Sequence, residues 1–377
     1  MQLIKTPTKG MNDYLPRETR LREYVKGVII RAYEKNGFSM IETPAVEHIE
    51  NLTGKNGGDN EKLIFKIMKR GEKLNEAAGN DAELCDSGLR YDLTVPLSRY
   101  YANNQAKLPS PFMAMQIGNV WRADRPQKGR FRQFTQCDID ILGDSTQLAE
   151  ITLISATTGV LRELGFDNFT VRINDRRLLK VCADYCGFKP EDCDKVFITL
   201  DKMDKIGLDG VKRELVEEGF DEASVEKYVA LYENCDAVSV SEFAADRLGG
   251  NGADIAASLE SIMRCATAAT AGGCSLKFDP TLVRGMSYYT GTIFEISMDG
   301  YGYSVGGGGR YDEMLAKFSG QKTPACGFSL GFERIVAALA DRGFEPPAAE
   351  RSVAFLASKN MDEQKMLAML SDAARLR

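Results

Sequence analysis

Leu21, Tyr24, Val25, Val28, Ile29, Ala32 and Tyr33 recur at steps of three and four, which predicts an amphipathic helix over residues 16–37 that Asn36-Gly37 stops. An extended stretch, "FSMIETPAVEH", follows. Residues 61–75, "EKLIFKIMKRGEKLN", read as two strands about the turn Arg70-Gly71, and "EAAGNDAELCDSG" reads as an acidic loop. Next come two alternating runs, "PFMAMQIGNVWR" and "RFRQFTQCDIDIL", around "ADRPQKG"; this is the layout of an antiparallel hairpin with a basic tip. A helix is predicted from about 145 to 164 with Leu148, Ile151, Ile154, Leu161 and Leu164 on one face, then a short strand, "FTVRI".

From residue 176 to about 270 the pattern turns helical and rich in Lys, Asp and Glu, and we expect a helical insertion domain there. Strand signals return at "SLKFDP", "SYYTGTIFEISM", "YSVGGGGRYD" and "CGFSLG", followed by a helix from Phe332. Strands flanking a helical block predict an α+β domain with a mostly antiparallel sheet. Its two parts would be 1–175 and 271–340, and "DRGFEPPAAER" at 341–351 has linker composition. In the remaining 352–377, "SVAFLAS" and "NMDEQKMLAMLSDAARLR" read as one strand and one helix, too little to bury a core alone. The expectation is a further domain cut short.

Composition changes this picture only at its edges. A chain of 377 residues suits about two or three domains, and 44% apolar with 27% charged residues places it among ordinary globular proteins. No run reaches membrane-spanning length and "MQLIKTPTKGMNDYLP" lacks the features of a signal peptide, so a cytoplasmic location is expected. Nine cysteines, an odd count, fit free thiols in a reducing compartment. Cys182 and Cys186 have neither a second close cysteine pair nor a nearby histidine, so no structural metal site is expected. His48 is the only histidine and reads as a packed or surface side chain, poor ground for triad chemistry. A net charge of −6 excludes a uniformly basic nucleic-acid binder, yet local clusters can still steer a polyanion.

The chemistry concentrates on the second hairpin strand. Alternation puts Phe131, Gln133, Thr135, Cys137, Ile139 and Ile141 on one side and Arg132, Phe134, Gln136, Asp138 and Asp140 on the other. A solvated outer face would explain the second set, but Phe134 amid it suits a flat base beside a polar, cationic small molecule. Arg122, Arg284 and Arg334 come from separate segments, and gathered in one cleft they could grip a triphosphate. The run "GGGGR" lacks the spacing and lysine of a P-loop; glycine in a strand more often marks close approach of backbone or ligand.

"MNDYLP", "LRYDLTVPLSRY", "WRADRPQKGRFRQFTQCDIDILG", "LVRGMSYYTGTIFE", "GGGGRYD" and "ACGFSLGFERI" occur in the order found in histidyl-tRNA synthetases, which the chain resembles from about residue 6 to 340. The resemblance implies a class II aminoacyl-tRNA synthetase core: a six- or seven-stranded, mostly antiparallel sheet flanked by helices. It also implies a helical insertion domain and an α/β anticodon-binding domain, here mostly missing. The implied activity joins L-histidine to tRNA(His), using ATP with Mg²⁺ on its outer phosphates and no protein metal site. The implied assembly is a homodimer built on the first helix and the segment through Pro44.

By the same resemblance, Arg122 and Arg284 approach the α-phosphate from opposite sides and Arg130 and Arg334 bind the outer phosphates. Asp124 positions adenine and Phe134 stacks on it. Asp92, Thr94 and Gln136 hold the α-amino group, while Asp140 and Tyr289 meet the imidazole near Tyr311. Ser287 stands where Asp is frequent, Thr135 where His is frequent, and Asp92 and Asp140 where some members carry Glu. A related core without the anticodon-binding domain acts as a histidine-sensing partner of ATP phosphoribosyltransferase. The presence of Arg122, Phe134, Arg284 and Arg334 favours the enzyme, since a sensor needs no complete phosphate grip.

Overall fold

The computed structural model describes residues 3–53, 59–80, 83–126, 130–235, 238–283, 288–347 and 353–376. The strands run in chain order as β1 (Ser39–Met40), β2 (Val46–His48), β3 (Lys66–Met68), β4 (Cys85–Leu89), β5 (Phe112–Trp121), β6 (Gln133–Leu142), β7 (Phe169–Asp175), β8 (Ser275–Phe278), β9 (Thr292–Met298), β10 (Ser304–Arg310) and β11 (Ala325–Leu330). Eight of them form the main sheet, ordered β1-β5-β6-β11-β10-β9-β7-β8; β2-β4-β3 make a small second sheet. The main sheet is antiparallel except at its two margins, where β1 pairs with β5 and β7 with β8 in parallel. Its eight strands exceed the six or seven that the resemblance implied, because a two-residue strand is added at one edge.

The hairpin forms as the alternation predicts, with Phe112 opposite Leu142 and Trp121 opposite Gln133. The first helix, Pro16–Lys35, also forms where expected, with Pro16 in its first turn and the Leu15 N–H donating to Glu18 Oε2 at 2.8 Å. It buries Leu21, Val25, Val28, Ile29, Ala32 and Tyr33, and Gly37 takes the left-handed conformation (φ +89°) that ends it. Residues 176–269 are helical from Arg176–Cys186 to Ala253–Ala269, and their buried apolar side chains belong to one continuous cluster with those of the sheet. The last of these helices lies along Leu148–Glu163, where Gln147 Nε2 donates to Ser258 Oγ at 2.9 Å.

Five expectations fail locally. Residues 61–75 hold one strand, not two: β3 ends at Met68, and beyond Arg70-Gly71 the good helix formers of "EKLNE" make a short helix, Glu72–Glu76. The partner of β3 is β4, inside the stretch read as a loop. Its "CDSGL" has little strand character, but a Cβ on Gly88 would lie 2.9 Å from Leu52 Cδ1 and 3.1 Å from the Phe65 carbonyl oxygen, so close packing requires the glycine. Leu148 opens its helix and is exposed, while Ala149, Leu153, Ile154 and Leu161 bury the inner face. Of "SYYTGTIFEISM", the described residues from Tyr288 become strand only at Thr292. Finally, Val353–Ser358 form no strand: among the described residues no neighbouring strand is there to pair with them, and the helix Glu363–Leu376 buries none of its side chains. Linker residues through Pro347 lie along the first helix, with Arg20 NH2 donating to the Pro347 carbonyl at 2.9 Å.

A bidentate ion pair fastens the sheet to the helix Leu148–Glu163: Arg310, at the end of β10, donates from Nε and NH2 to the two Glu150 oxygens, each at 2.7 Å. Both side chains are largely buried. Losing one partner of such a pair is costly because the other charge stays desolvated. Arg310 would keep the carbonyls of Asp144 and Thr146, both at 3.0 Å. Glu150→Ala should therefore cost about 3 kcal/mol, the low end for a broken buried pair, read as a lowered urea midpoint with unchanged slope.

Candidate active site

One cavity of about 580 Å³ opens over the face of β6 that carries Phe134, Gln136, Asp138 and Asp140. Arg122, Asp124, Arg130, Phe134 and Arg334 line it, and so do Asp92, Thr94, Gln136, Asp140, Tyr289 and Tyr311. Arg284 and Ser287 lie outside the described residues. The face is therefore not a solvated exterior: Asp138 and Asp140 are each only 4% exposed.

The glycine strand explains how carboxylates reach so deep. Asp140 pairs across to Gly327 on β11, and a Cβ on Gly327 would stand 1.9 Å from Asp140 Oδ1. On β10, a Cβ on Gly308 would stand 2.0 Å from the Gly327 carbonyl oxygen, and one on Gly309 would stand 2.5 Å from the Thr292 carbonyl oxygen. Bare backbone lets the strands come together under the pocket, which is the close approach that the "GGGG" run suggested.

The rest of the wall is held in place by polar supports. Arg90 donates from NH1 to the Thr43 carbonyl and from Nε to the Asn119 carbonyl, both at 2.8 Å. Gln116, opposite Asp138 in the hairpin, donates to the Leu93 carbonyl at 3.0 Å. These bonds fix the turn carrying Asp92, which accepts from the Val95 N–H at 3.0 Å as the helix Thr94–Asn104 begins. Arg122 donates to the Tyr91 carbonyl at 3.2 Å, and its guanidinium lies 4.2 Å from the Tyr91 ring centre and 5.1 Å from that of Phe134. Such stacking holds a guanidinium without neutralising it. Arg334, in the first turn of Phe332–Asp341, donates to the Ser304 carbonyl and stacks 5.3 Å from the Tyr303 ring centre.

The acids are electrostatically expensive. Burial raises the Asp92 carboxyl above its usual range, against the Val95 N–H that lowers it. Burial also drives Asp138 up to about 7, with Ser329 pulling down and Asp92 pushing up. Asp140 lies well above the ordinary carboxylate range, first through burial and then through Asp138, although the Tyr311 hydroxyl donates to its Oδ1 at 2.5 Å. A desolvated, acid-rich pocket beside stacked guanidiniums suits a ligand that is cationic at one end and anionic at the other.

Sequence reasoning gave Asp138 no role, although it shares a phase with Gln136 and Asp140. It also passed over Glu333, whose carboxylate accepts from Arg22 NH2 at 2.8 Å and from the Thr135 N–H at 3.1 Å. The Arg22 and Glu333 side chains are each 10% exposed. Nothing local in "GFERI" announces that partner, since Arg22 is over 300 residues away. Thr135 faces this ion pair, not the cavity core, and donates to Asn119 Oδ1 at 3.1 Å. His48 lies exposed on β2, away from the cavity lining. Among the described residues no group of three or more His, Cys, Asp or Glu is placed to hold a metal ion, and no helix is long and apolar enough to cross a membrane.

A family model described as histidyl-tRNA synthetase matches residues 10–335. A histidine–tRNA ligase from Leifsonia xyli subsp. xyli (strain CTCB07) is 46% identical over 380 residues, which cover 98% of this chain and 87% of the relative. The crystal structure of histidyl-tRNA synthetase from Nostoc sp. PCC 7120 superimposes with a TM-score of 0.81 at 27% identity, over 100% of this chain and 84% of that one. An ATP phosphoribosyltransferase regulatory subunit/histidyl-tRNA synthetase from Bacillus halodurans C shares the fold, with a TM-score of 0.72 at 22% identity over 90% of this chain and 84% of that one. A family match over most of the chain, together with close relatives along nearly all of it, makes this protein a member of the histidyl-tRNA synthetase family.

Proposed function

We propose that the cavity over β6 activates L-histidine with ATP and that the histidyl group then passes to the 3′ end of tRNA(His), so that the protein works as a histidine–tRNA ligase. Aminoacyl-tRNA synthetases consume ATP, and the family takes histidine and tRNA as its other substrates. The observation that carries the reading is the sharing of one cavity by Arg122, Arg130, Phe134 and Arg334 with Asp92, Gln136, Asp140 and Tyr311. The first set meets a nucleoside triphosphate; the second meets a small amino acid.

In this reading, Asp92, Thr94 and Gln136 receive the α-ammonium, and Asp140 with Tyr289 and Tyr311 complements the ring nitrogens of the imidazole. A site that hydrogen-bonds both nitrogens rejects side chains lacking them, since its own polar groups would then stay unpaired. Phe134 stacks on adenine, Asp124 positions it, and Arg130 and Arg334 hold the outer phosphates, which arrive with Mg²⁺ as part of the substrate. The α-carboxylate, ionised at neutral pH with an ordinary pKa of about 3.5, attacks the α-phosphorus without a general base. A carboxylate oxygen bonds to phosphorus as the bond to the bridging oxygen breaks, and pyrophosphate leaves with that electron pair. Arg122 and Arg284 stabilise the charge that builds around phosphorus. In the second step the terminal ribose hydroxyl attacks the carbonyl carbon, AMP departs, and a phosphate oxygen of the adenylate takes the proton.

A cytoplasmic homodimer completes the proposal. Among the described residues no strand pairs with the outer edge of β1, and Met40 on that strand is exposed, which supports a second copy along that margin.

Histidine-dependent exchange of pyrophosphate into ATP tests the reading. Exchange with histidine alone among the amino acids is expected, whereas tight histidine binding without exchange would favour a sensor. Arg284→Ala should leave histidine binding within a few-fold yet slow activation by a factor of about 100 or more, as loss of a transition-state contact does; single-turnover adenylate formation separates the two. Gly327→Ala, whose methyl group would displace the Asp140 carboxylate, should abolish histidine binding while ATP binding, followed by nucleotide fluorescence, persists.

A further inference from the structure

Gln136 and Asp138 sit two residues apart on the cavity face of β6, and their side chains are joined. Gln136 Nε2 donates to Asp138 Oδ1 at 3.3 Å and Oδ2 at 3.2 Å, and to Ser329 Oγ on β11 at 3.2 Å. The other end of the amide is unmatched: Gln136 Oε1 is buried and has no hydrogen-bond partner among the described residues. A buried acceptor without a donor costs free energy. The residue lines the cavity, so a ligand donor entering there would remove this cost.

An amide can be turned end for end at no cost in shape, so something has to decide which end is offered. An ionised carboxylate only accepts hydrogen bonds and therefore holds the NH2 end. We propose that Asp138 is a positioning residue for amino-acid recognition: by holding Gln136 Nε2, it commits Oε1 to the α-ammonium of the substrate. This rests on the histidine reading of the cavity and adds to it a residue that sets the polarity of the ammonium site. A protonated Asp138 reverses the preference, because its O–H donates to Oε1 and the amide then offers N–H groups to a cation.

Burial brings such a change near neutral pH; of the facing groups, Asp92 raises Asp138 while Ser329, Arg122 and Gln136 lower it. Asp92 comes from the turn before Thr94, Arg122 from the end of β5, Asp140 from the same strand and Ser329 from β11, and burial lifts Asp138 to about 7. The raised value means that the carboxylate form, and with it the ammonium site, is lost as pH falls through about 7. A bound ammonium favours the carboxylate, so binding below that pH expels a proton.

The test compares L-histidine with 3-(imidazol-4-yl)propionate, which lacks the amino group. In Asp138→Asn, the KM for histidine in pyrophosphate exchange should rise about tenfold or more, the scale of a lost charge-assisted hydrogen bond. Its kcat, the KM for ATP and inhibition by the propionate should stay within about twofold. The rise in histidine KM below pH 7 seen in the native protein should flatten in the variant. Calorimetry at about pH 6.5, in two buffers of different ionisation enthalpy, should show the native protein releasing more protons on binding histidine than Asp138→Asn does, the titration of the histidine ring being common to both. An unchanged histidine KM, equal losses for both ligands, or equal proton release by native protein and variant would overturn the proposal. A native protein with no histidine-dependent exchange would instead overturn the reading beneath it.

Discussion

The cavity is organised around three carboxylates held out of water with, among the described residues, no cation bonded to them. Asp92, Asp138 and Asp140 are each 6% exposed or less, and among the described residues none forms a salt bridge. A main-chain N–H supports the first, an amide and a hydroxyl the second, and a phenol the third. Neutral donors of this kind offset only part of the desolvation cost, and the raised pKa values of all three acids express the remainder. A cationic ligand relieves that cost when it enters. Binding energy is thus stored in the pocket as unfavourable burial, and a cationic ammonium is the natural group to collect it.

Keeping that arrangement from relaxing is the task of the surrounding sheet. The hairpin supplies the acids, β10 and β11 come close enough through their glycines to seal them from below, and Arg90 and Gln116 pin the turn that brings Asp92 across. At the other side, Glu333 takes hydrogen bonds from both Arg22 and the Thr135 main chain. The first helix, the β6 backbone between Phe134 and Gln136, and the helix that carries Arg334 therefore meet at one carboxylate. That buried pair adds geometric definition more than net stability, since desolvating both partners consumes most of what their attraction returns.

The parts legible in the sequence were those with a strong period or with several residues in one phase. The hairpin of residues 112–142 follows from alternation, the first helix from its apolar stripe and Asn36-Gly37 stop, and the helical block from its composition. The facing of Gln136, Asp138 and Asp140 followed from the same alternation, but their depth did not, because depth depends on glycines in strands far along the chain. Strand β4 was hidden since "CDSGL" is strand only by virtue of its neighbours, and "SVAFLAS" reads as strand yet, among the described residues, Val353–Ser358 have no neighbouring strand to make them one. Arg22 and Glu333 each look like ordinary surface charges on amphipathic helices. Only their meeting in the folded chain gives them a function.

The glycines of β10 and β11 leave main chain exposed where other pockets present side chains. A base of peptide groups has no rotamers to repack and no atoms to trim, so its contour is inherited from strand spacing and cannot be retuned one substitution at a time. Attempts to redirect this protein toward a different amino acid would have to work on the uprights, Asp140 and the tyrosines, and leave the ground beneath them untouched.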